Sequence, residues 1–440
     1  MLKNIKSERI ALLGLGLENQ ALLLFLNKKY KNLDITICDA RSEKNIKKTL
    51  PFLKKIPKLK WQTENKFNVE LEKFTLLFRS PGWPISCPGV QKALERGVKM
   101  SSPMNIFFQF CPSKNIIGIS GTKGKGTTAS LIYKIIIDSG KKCFLGGNIG
   151  IAPLSFINQI KKNDWIVLEL SSFQLEDLKH SPKIAVLTNI FKEHLSPADP
   201  NNPNFHKNMY LYLTAKLNLV LNQNKNDYFI VNKKLEKKIK PYQIESKIIY
   251  FSASKTKSNL VGDFNQENIG AAEEVAKILK IKKNKYIKTI NNFSNLNHRL
   301  EFVREINGVK YYDNSFSTTP ESTELDLKSF KKNIILLAGG ADKKANFKNL
   351  AKEIKKSVKI ITLFEGLGSQ RIKQELLKIN YPKEKIFETS TMKEAIKIVN
   401  KYKEKGDIVL LSTACASFGS FKNYKERGDL FQKEVKIMKL

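Results

Sequence analysis

The chain has 440 residues, 41% of them hydrophobic, so it is long enough for two or three domains and too long for one small module. Its formal net charge of +36 would suit a nucleic-acid-binding protein. However, only eight of the 77 basic residues are arginine, and the lysines are spread along the whole chain. Because arginine is the preferred residue for forked phosphate contacts, this excess favours a solvated surface over specific nucleic-acid binding.

The cysteines and the apolar runs indicate in which cellular compartment the protein works. The five cysteines are scattered and include no Cys-x-x-Cys pair that would indicate a zinc site or a disulfide framework. Lys3 and Lys6 precede an apolar run as in a signal peptide, but Glu18 interrupts that run. No apolar run approaches the roughly 20 residues of a membrane-spanning helix. We expect a cytoplasmic protein without a membrane partner, and a monomer.

Strands and helices alternate in the first hundred residues. A strand at 9–14 ends in Gly14-Leu15-Gly16, a helix covers 19–27, and a second strand covers 34–38. This alternation predicts a parallel, Rossmann-like sheet. Asn19 stands where the dinucleotide-binding fingerprint has its third glycine. A diphosphate site and a turn that serves packing alone therefore both remain open.

The stretch from 116 to 130 is the strongest local signal. An apolar strand ending at Ser120 passes into a glycine-rich turn with Lys125, and a helix follows from Thr127. The glycines let backbone N–H groups point at phosphate oxygens, and the helix N-terminus adds its dipole. This order favours a nucleotide-phosphate loop over a surface turn. The spacing departs from Gly-x-x-x-x-Gly-Lys-Ser/Thr because Gly126 occupies the Ser/Thr position.

Polar residues follow the next predicted strands. Glu169 lies at the end of a strand at 165–170, and His194 follows a strand at 184–188. A carboxylate beside a phosphate loop suits the Mg²⁺ that accompanies ATP, with an incidental buried acid as the alternative. His194 either reaches a metal or phosphate or lies at the surface. The stretch 103–112 is interpreted as the passage into a second domain.

Two further residues lie on predicted helices, and a third section closes the chain. Lys216 lies on a helical stretch at 210–221, and Asn268 opens a helix at 268–280, where it either contacts a ligand or caps the helix.

Open parallel sheets bind ligands at the C-terminal ends of their strands. Polar residues gather at such ends after three predicted strands, at 334–337, 360–364 and 408–412.

In this order, the motifs resemble the Mur ligase family over nearly the whole chain. The resemblance is carried by Ser80-Pro81-Gly82, Gly121 to Thr128, Gly147-Asn148-Ile149-Gly150, Glu169 to Leu175, Asn297-His298-Arg299, Gly339 to Lys343, and Ala414 to Gly428. It implies an α/β fold of three domains. These are a Rossmann-like UDP-sugar-binding domain at 1–103, a P-loop ATP-binding domain at 104–298, and a Rossmann-like closing domain at 299–440 that binds the amino acid.

The resemblance also implies an activity. Family members of this kind are ATP-dependent amide ligases, and the Ser171 to Leu175 and Cys415 to Phe418 runs point to the member that adds D-glutamate to UDP-N-acetylmuramoyl-L-alanine. The reaction passes through an acyl phosphate and serves peptidoglycan precursor synthesis. Positioning and charge neutralisation by phosphate-binding groups, Mg²⁺ and lysines are the expected means of catalysis.

Site residues are carried over by position. Catalytic roles fall to Lys125, Glu169, His194 and Lys216, with Lys216 carbamylated, and metal contacts fall to Thr127, Glu169, His194 and Lys216. ATP contacts fall to Gly121, Thr122, Lys123, Gly124, Lys125, Gly126, Thr127, Thr128, Asn148, Asn268, Arg299 and Asp313. UDP-sugar contacts fall to Leu15, Gly16, Asp39 and Ser80, and D-glutamate contacts to Lys343, Ser417, Phe418 and Tyr424.

Several positions depart from the family pattern. The family has Asp-Ser-Lys-Ala-Thr-Asn where this chain has Asp313 to Thr318, so a lysine expected near the amino acid is missing. Gly126 has a precedent in folylpolyglutamate synthases, which moves the expected metal-binding hydroxyl to Thr127. A folylpolyglutamate synthase-like ligase and a degenerate homologue that binds nucleotide without turnover therefore remain alternatives.

Overall fold

The computed structural model describes residues 5–56, 58–195, 203–294, 296–330, 333–342, 345–417 and 420–438. The described residues form three β-sheets. One compact unit comprises Met1–Ser252 and Gly270–Tyr286 and holds two sheets, and the other comprises Ala253–Ile269 and Ile287–Leu440 and holds the third. The domain boundaries at 103 and 298 stay predictions.

The first sheet is parallel, as the alternation of elements predicts. Its elements are β1 (Arg9–Leu13), α1 (Leu17–Lys29), β2 (Asp34–Asp39), α2 (Glu43–Thr49), β3 (Lys60–Thr63), β4 (Leu76–Arg79), α3 (Pro88–Glu95), β5 (Lys99–Ser101) and α4 (Pro103–Phe110). The strand order is β3-β2-β1-β4-β5, which places the apolar strand β1 at the centre. Ligand-facing residues therefore collect where β1, β2 and β4 end.

The second sheet is also parallel and carries the glycine-rich loop. Its elements are β6 (Ile116–Ser120), α5 (Lys125–Asp138), β7 (Cys143–Gly147), β8 (Trp165–Glu169), α6 (Ser172–Leu175), β9 (Ile184–Leu187), α7 (Met209–Leu217), β10 (Tyr228–Asn232), α8 (Glu236–Ile239) and β11 (Lys247–Phe251), followed by α9 (Asp263–Ile278) and α10 (Lys283–Asn292). The order β11-β10-β9-β6-β8-β7 puts β6 between β8 and β9. The loops after these three strands therefore lie side by side.

The third sheet has one antiparallel edge strand. Its elements are β12 (Glu301–Ile306), β13 (Val309–Asn314), α11 (Pro320–Lys328), β14 (Ile334–Gly339), α12 (Lys348–Ser357), β15 (Val358–Phe364), α13 (Leu367–Lys378), β16 (Ile386–Thr389), α14 (Met392–Tyr402), β17 (Ile408–Ser412) and α15 (Tyr424–Ile437). The order is β12-β13-β17-β14-β15-β16. Asn307 and Gly308 both have positive φ, at 51° and 78°, which suits the tight turn between β12 and β13.

The stretch 103–112 is mostly helix α4, which lies in the chain between the last strand of the first sheet and the first strand of the second, so its role as the passage into a second domain stays a prediction. Ser102 Oγ accepts a hydrogen bond from the backbone N–H of Asn105, and Pro103 occupies the first turn, so the helix begins with two standard start signals. Met104, Ile106 and Phe107 are buried in the apolar core. The apolar run therefore serves packing.

Asn268 does not open a helix. Helix α9 begins at Asp263, directly after Gly262, whose φ of 96° cannot continue a helix. Asn268 lies buried within α9 and donates a 2.8 Å hydrogen bond from Nδ2 to Asn265 Oδ1. The capping alternative for Asn268 is wrong, and its contact with ATP stays a prediction.

No helix among the described residues is both long enough and apolar enough to cross a membrane.

Candidate active site

The glycine-rich loop has the geometry of a phosphate cradle. Gly121 and Gly124 have φ of 141° and 80°, and a Cβ at Gly121 would lie 2.0 Å from Thr188 Oγ1, so this position excludes any side chain. Helix α5 begins at Lys125 without a side-chain cap. An uncapped helix N-terminus after left-handed glycines directs backbone N–H groups and the helix dipole toward an anion.

Side chains from neighbouring loops hold the cradle in shape. Lys125 Nζ donates a 2.9 Å hydrogen bond to the carbonyl oxygen of Thr122. Thr122 Oγ1 lies 2.9 Å from Tyr212 Oη and accepts a 3.0 Å hydrogen bond from the backbone N–H of Phe191. Asn189 Oδ1 accepts from the backbone N–H of Lys123 at 2.8 Å. The loop is therefore preformed by contacts with the segment after β9 and with α7.

Lys216 reaches the cradle from α7. Its Nζ donates a 2.7 Å hydrogen bond to the Gly121 carbonyl oxygen and lies 4.7 Å from the centre of the Tyr212 ring. The side chain is buried. Burial, and then the charge of Lys125, hold the pKa of Lys216 well below its usual value. The amine is therefore biased toward its neutral, nucleophilic form.

Glu169 lies at the end of β8, beside the cradle. Its side chain is 2% exposed, and Asn148 Nδ2 donates a 2.8 Å hydrogen bond to Oε1. The other oxygen, Oε2, is buried and has no hydrogen-bond partner among the described residues. Because an unpartnered buried carboxylate oxygen is costly, this atom is available for a cation.

His194 follows β9 in a left-handed backbone conformation with a φ of 58°. Its Nε2 lies 3.8 Å from Glu193 Oε2, and Glu193 Oε1 accepts a 2.7 Å hydrogen bond from Lys123 Nζ. The His194 side chain is 43% exposed, and partial desolvation, with smaller contributions from the charges of Lys125 and Lys216, lowers the pKa of His194 to about 4. Burial alone would raise the pKa of Glu193, but Lys123, His194 and Lys125 outweigh it and lower it to about 2. Glu193 is therefore charged and His194 neutral at pH 7.

The first sheet presents a second polar turn. The backbone N–H of Leu15 donates a 2.8 Å hydrogen bond to Asp39 Oδ2, and Arg41 also binds Asp39, with Nε 2.9 Å from Oδ1. Asn19 Nδ2 donates to the carbonyl oxygens of Leu13, Gly14 and Phe78 at 3.1, 2.7 and 3.2 Å. The structure therefore brings the predicted UDP-sugar residues Leu15, Gly16, Asp39 and Ser80 to one edge of the sheet.

Arg79 connects this turn to the second sheet. It is 1% exposed, and one terminal nitrogen lies 3.1 Å from Asp177 Oδ1 and donates to the Phe173 carbonyl oxygen at 2.7 Å. The other terminal nitrogen donates to the Trp83 carbonyl oxygen at 3.0 Å. Asn204 Nδ2 also donates a 2.8 Å hydrogen bond to the carbonyl oxygen of Pro81, in the loop after β4. The loop after β4 and the loop after β8 are thus joined by buried polar contacts.

In the second compact unit, Asp313 forms the centre of a buried network. His298 Nδ1 lies 2.7 Å from Asp313 Oδ2, and this hydrogen bond raises the pKa of His298. Gln432 Nε2 donates to Asp313 Oδ2 and to Glu301 Oε2 at 2.9 and 2.8 Å. His298, Glu301 and Asp313 are close enough to hold a cation, but the amide of Gln432 already satisfies both carboxylates.

The segment with the missing lysine is organised by Arg427. This side chain is buried and donates to Ser315 from Nε to Oγ at 2.9 Å and from a terminal nitrogen to the carbonyl oxygen at 2.8 Å. Ser315 Oγ in turn donates a 2.7 Å hydrogen bond to the Tyr424 carbonyl oxygen. The Arg299 guanidinium lies 3.6 Å from the centre of the Phe316 ring. A buried guanidinium therefore supplies positive charge beside this segment.

Gly428, next to Arg427, is a site where stability can be tested. A Cβ there would lie 2.2 Å from His298 Nδ1. We expect Gly428→Ala to displace the His298 ring and lower the free energy of unfolding by about 1–3 kcal/mol, measured by chemical denaturation. Gly16→Ala, whose Cβ meets nothing within 4 Å, is the control. An equal cost for Gly428→Ala in a His298→Ala background would contradict this explanation.

The predicted site residues fall into separate groups. Gly121 to Thr128, Asn148, Glu169, His194 and Lys216 converge around the cradle. Arg299, Asp313, Ser417 and Tyr424 lie in the second compact unit with Asn268, and Lys343 and Phe418 lie outside the described residues. Asp313 has both oxygens engaged internally, by Ser315 N–H and by His298 and Gln432. The individual roles of these residues stay predictions.

Sequence reasoning missed several polar residues that build the site. They are Arg79, Asn189, Glu193 as a partner of Lys123, His206 and Tyr212. The position of Arg79 directly before Ser80-Pro81-Gly82 was a usable signal. The others make contacts between segments that are distant along the chain, which a single sequence does not reveal.

A parallel sheet with a glycine-rich loop between its central strand and the next helix defines a phosphate-loop nucleotide-binding protein. Comparisons with known proteins are more specific. The family model of the Mur ligase middle domain matches residues 119–297, and that of the Mur ligase glutamate ligase domain matches 298–415. The chain belongs to the Mur ligase family. This confirms the family, the fold class and the enzyme class, a ligase, that the sequence predicted.

Similar proteins cover almost the whole chain. The UDP-N-acetylmuramoylalanine--D-glutamate ligase of Acetivibrio thermocellus is 35% identical over 98% of this chain and 97% of its own length. The ligase of the same name from Ruminiclostridium cellulolyticum is 33% identical over 99% of this chain and 98% of its own. Among solved structures, the MurF ligase of Thermotoga maritima in complex with ADP has a TM-score of 0.59 at 15% identity, covering 99% of this chain and 96% of that one. At this identity the structural likeness concerns the fold alone.

Proposed function

We propose that this protein joins D-glutamate to UDP-N-acetylmuramoyl-L-alanine with ATP in the synthesis of peptidoglycan precursors. The observation that carries the proposal is a preformed phosphate cradle with Glu169 and Lys216 beside it, in a chain that aligns end to end with ligases named for this reaction. In this reaction the carboxylate of the alanyl group attacks the γ-phosphorus of ATP, and the bond to ADP breaks. The amine of D-glutamate then displaces phosphate from the acyl phosphate and loses a proton.

The cradle holds the phosphates of ATP in this proposal. Gly121 to Gly126 supply backbone N–H groups, Lys125 supplies a positive charge, and Asn148 holds the carboxylate of Glu169 in place. The other predicted ATP contacts are Thr122, Lys123, Thr127, Thr128, Asn268, Arg299 and Asp313. Because the transferred phosphoryl group carries spread negative charge, positioning and charge neutralisation provide the catalysis.

The residues around the cradle suit Mg²⁺. Glu169 Oε2 is a buried oxygen without a hydrogen-bond partner among the described residues, which is the kind of ligand that Mg²⁺ prefers. Thr127 and His194 would complete the set of side chains. Mg²⁺, when bound, neutralises phosphate charge. Glu169, Thr127 and His194 would hold the ion, and therefore its positive charge, close to the phosphates at the cradle.

Lys216 suits carbamylation in the same proposal. Addition of CO₂ to a lysine requires the neutral amine, and burial together with Lys125 biases Lys216 toward that form. Addition of CO₂ to the neutral amine, with loss of a proton, would place an anionic carbamate near Glu169, where it would help to hold the metal. The hydrogen bond from Nζ to the Gly121 carbonyl oxygen holds the nitrogen at the cradle.

The remaining roles concern the other two substrates. Leu15, Gly16, Asp39 and Ser80 contact the UDP-sugar, and Lys343, Ser417, Phe418 and Tyr424 contact D-glutamate. Arg427 is buried beside Ser315, in the segment where the family's lysine is missing. We propose that the protein works in the cytoplasm as a monomer.

An assay of substrate dependence tests the proposal. We expect phosphate release from ATP to require both UDP-N-acetylmuramoyl-L-alanine and D-glutamate, with other amino acids and folates inactive. Release that is indifferent to D-glutamate would contradict the proposed specificity. Tight ADP binding with no turnover on any amino acid would identify a degenerate homologue instead.

A further inference from the structure

Four aromatic side chains near the cradle, those of Phe173, His194, His206 and Tyr212, pack against one another. The rings of His206 and Phe173 stack with their centres 4.9 Å apart and an interplanar angle of 10°, and the rings of Phe173 and His194 make a T-shaped contact with their centres 5.0 Å apart. Tyr212 closes the group at 5.4 Å from His206. Phe173 follows β8, His194 follows β9, and Tyr212 lies on α7. The group therefore joins three segments that carry predicted metal or phosphate contacts.

His206 makes specific bonds to two of these segments. Its Nε2 shares a 2.9 Å hydrogen bond with Ser172 Oγ, three residues after Glu169. Its backbone N–H donates a 2.8 Å hydrogen bond to the carbonyl oxygen of His194. The side chain is buried, and Nδ1 lies 4.0 Å from Glu176 Oε1. One residue thus contacts the segment after Glu169 through its side chain and the segment after β9 through its backbone.

His206 is poorly placed to be a ligand itself. Its ring stacks on Phe173 and has its centre 5.4 Å from that of Tyr212, and Nε2 is already engaged by Ser172. The backbone of His194, by contrast, is held in a left-handed conformation, which a non-glycine residue adopts only when its surroundings impose it. The hydrogen bond to the His194 carbonyl is one of those constraints.

We propose that His206 is a positioning residue that fixes the spacing between Glu169 and His194, the two side chains assigned to the metal from opposite loops. The inference rests on the proposed function for the identity of that metal. Residues that orient ligands without touching the metal commonly change its affinity by about 10–100-fold when they are replaced.

Paired substitutions test the hydrogen bond from both sides. His206→Phe keeps an aromatic ring against Phe173 but removes the bond, Ser172→Ala removes the partner, and His206→Gln keeps a polar side chain facing Ser172. We expect His206→Phe and Ser172→Ala each to weaken Mn²⁺ binding in the presence of ADP about tenfold, measured by electron paramagnetic resonance. The double variant should be no weaker than either single one, and His206→Gln should recover part of the affinity.

His180→Ala is the matched control, because His180 stacks on Phe108 and precedes β9 instead of following it. We expect its Mn²⁺ affinity to equal that of the unchanged protein. In turnover assays, the His206 variants should raise the Mg²⁺ requirement while the KM for the UDP-sugar substrate stays constant. Unaltered Mn²⁺ affinity in both His206→Phe and Ser172→Ala, or additive losses in the double variant, would overturn the proposal. Because Mn²⁺ binding is measured without the amino acid, absence of D-glutamate-dependent turnover would reject the proposed function and leave this test intact.

Discussion

A Lys216→Ala variant is expected to lose about a thousandfold in turnover, because groups aimed at the charge of a transition state contribute on that order. Lys216 is buried, its Nζ is bonded to the Gly121 carbonyl, and its pKa is held low by burial and by Lys125. If its active form is a carbamate, formate or acetate should enter the space left by the side chain and restore part of the activity. Phosphate release at increasing formate concentration measures this.

The control for Lys216 is Lys134→Ala, which removes an exposed lysine of α5 and should leave turnover unchanged. Thermal unfolding of both variants separates a chemical loss from a folding loss. Activity that falls without any recovery in formate or acetate would count against the carbamate. Full activity without added carboxylate would remove Lys216 from the site altogether.

An Arg79→Met variant is expected to lose about 3–5 kcal/mol of the free energy of unfolding, because breaking a buried ion pair from one side leaves a charge uncompensated. Arg79 is 1% exposed and pairs with Asp177 at 3.1 Å. It also satisfies the carbonyl oxygens of Trp83 and Phe173. The midpoint of urea denaturation, followed by circular dichroism, measures the loss.

Two further variants separate the causes of that loss. Lys134→Met breaks an exposed pair with Asp138 and should cost at most about 0.5 kcal/mol. If the cost of Arg79→Met comes from the stranded carboxylate, the additional change Asp177→Leu should recover part of the stability. A double variant that is less stable than Arg79→Met alone would show that the lost main-chain hydrogen bonds dominate.

The sequence predicted the repeated strands and the phosphate loop well, because both depend on local patterns. Apolar runs that end in glycine or polar residues specified β1, β6, β8 and β9 to within about two residues. Helix α4 was missed because its apolar run lies between Pro103 and Pro112, two residues that also mark loops. The start of α9 was placed five residues late, at Asn268, because Gly262 was not recognised as the stop before it.

The candidate site was predictable only in part. Lys125, Glu169 and Lys216 carry motif or chemical signals, and the structure places them around one cradle. His206 has no local signal for its role, and Arg79 has only its position before Ser80-Pro81-Gly82, because both roles are contacts across the fold. The pairing of Glu193 with Lys123 was also not predictable from local sequence, since the two residues are 70 positions apart.

Asn19 illustrates why a consensus residue is a poor guide to improving this protein. Its amide nitrogen serves three main-chain carbonyl oxygens that belong to the end of β1, the turn and the end of β4. Restoring the glycine of the common fingerprint would remove one donor from each of these three acceptors, although the Leu13 oxygen would keep the backbone N–H of Ser80, and would open a gap beneath the turn. Engineering toward the familiar motif would therefore weaken the sheet edge that holds the predicted UDP-sugar residues.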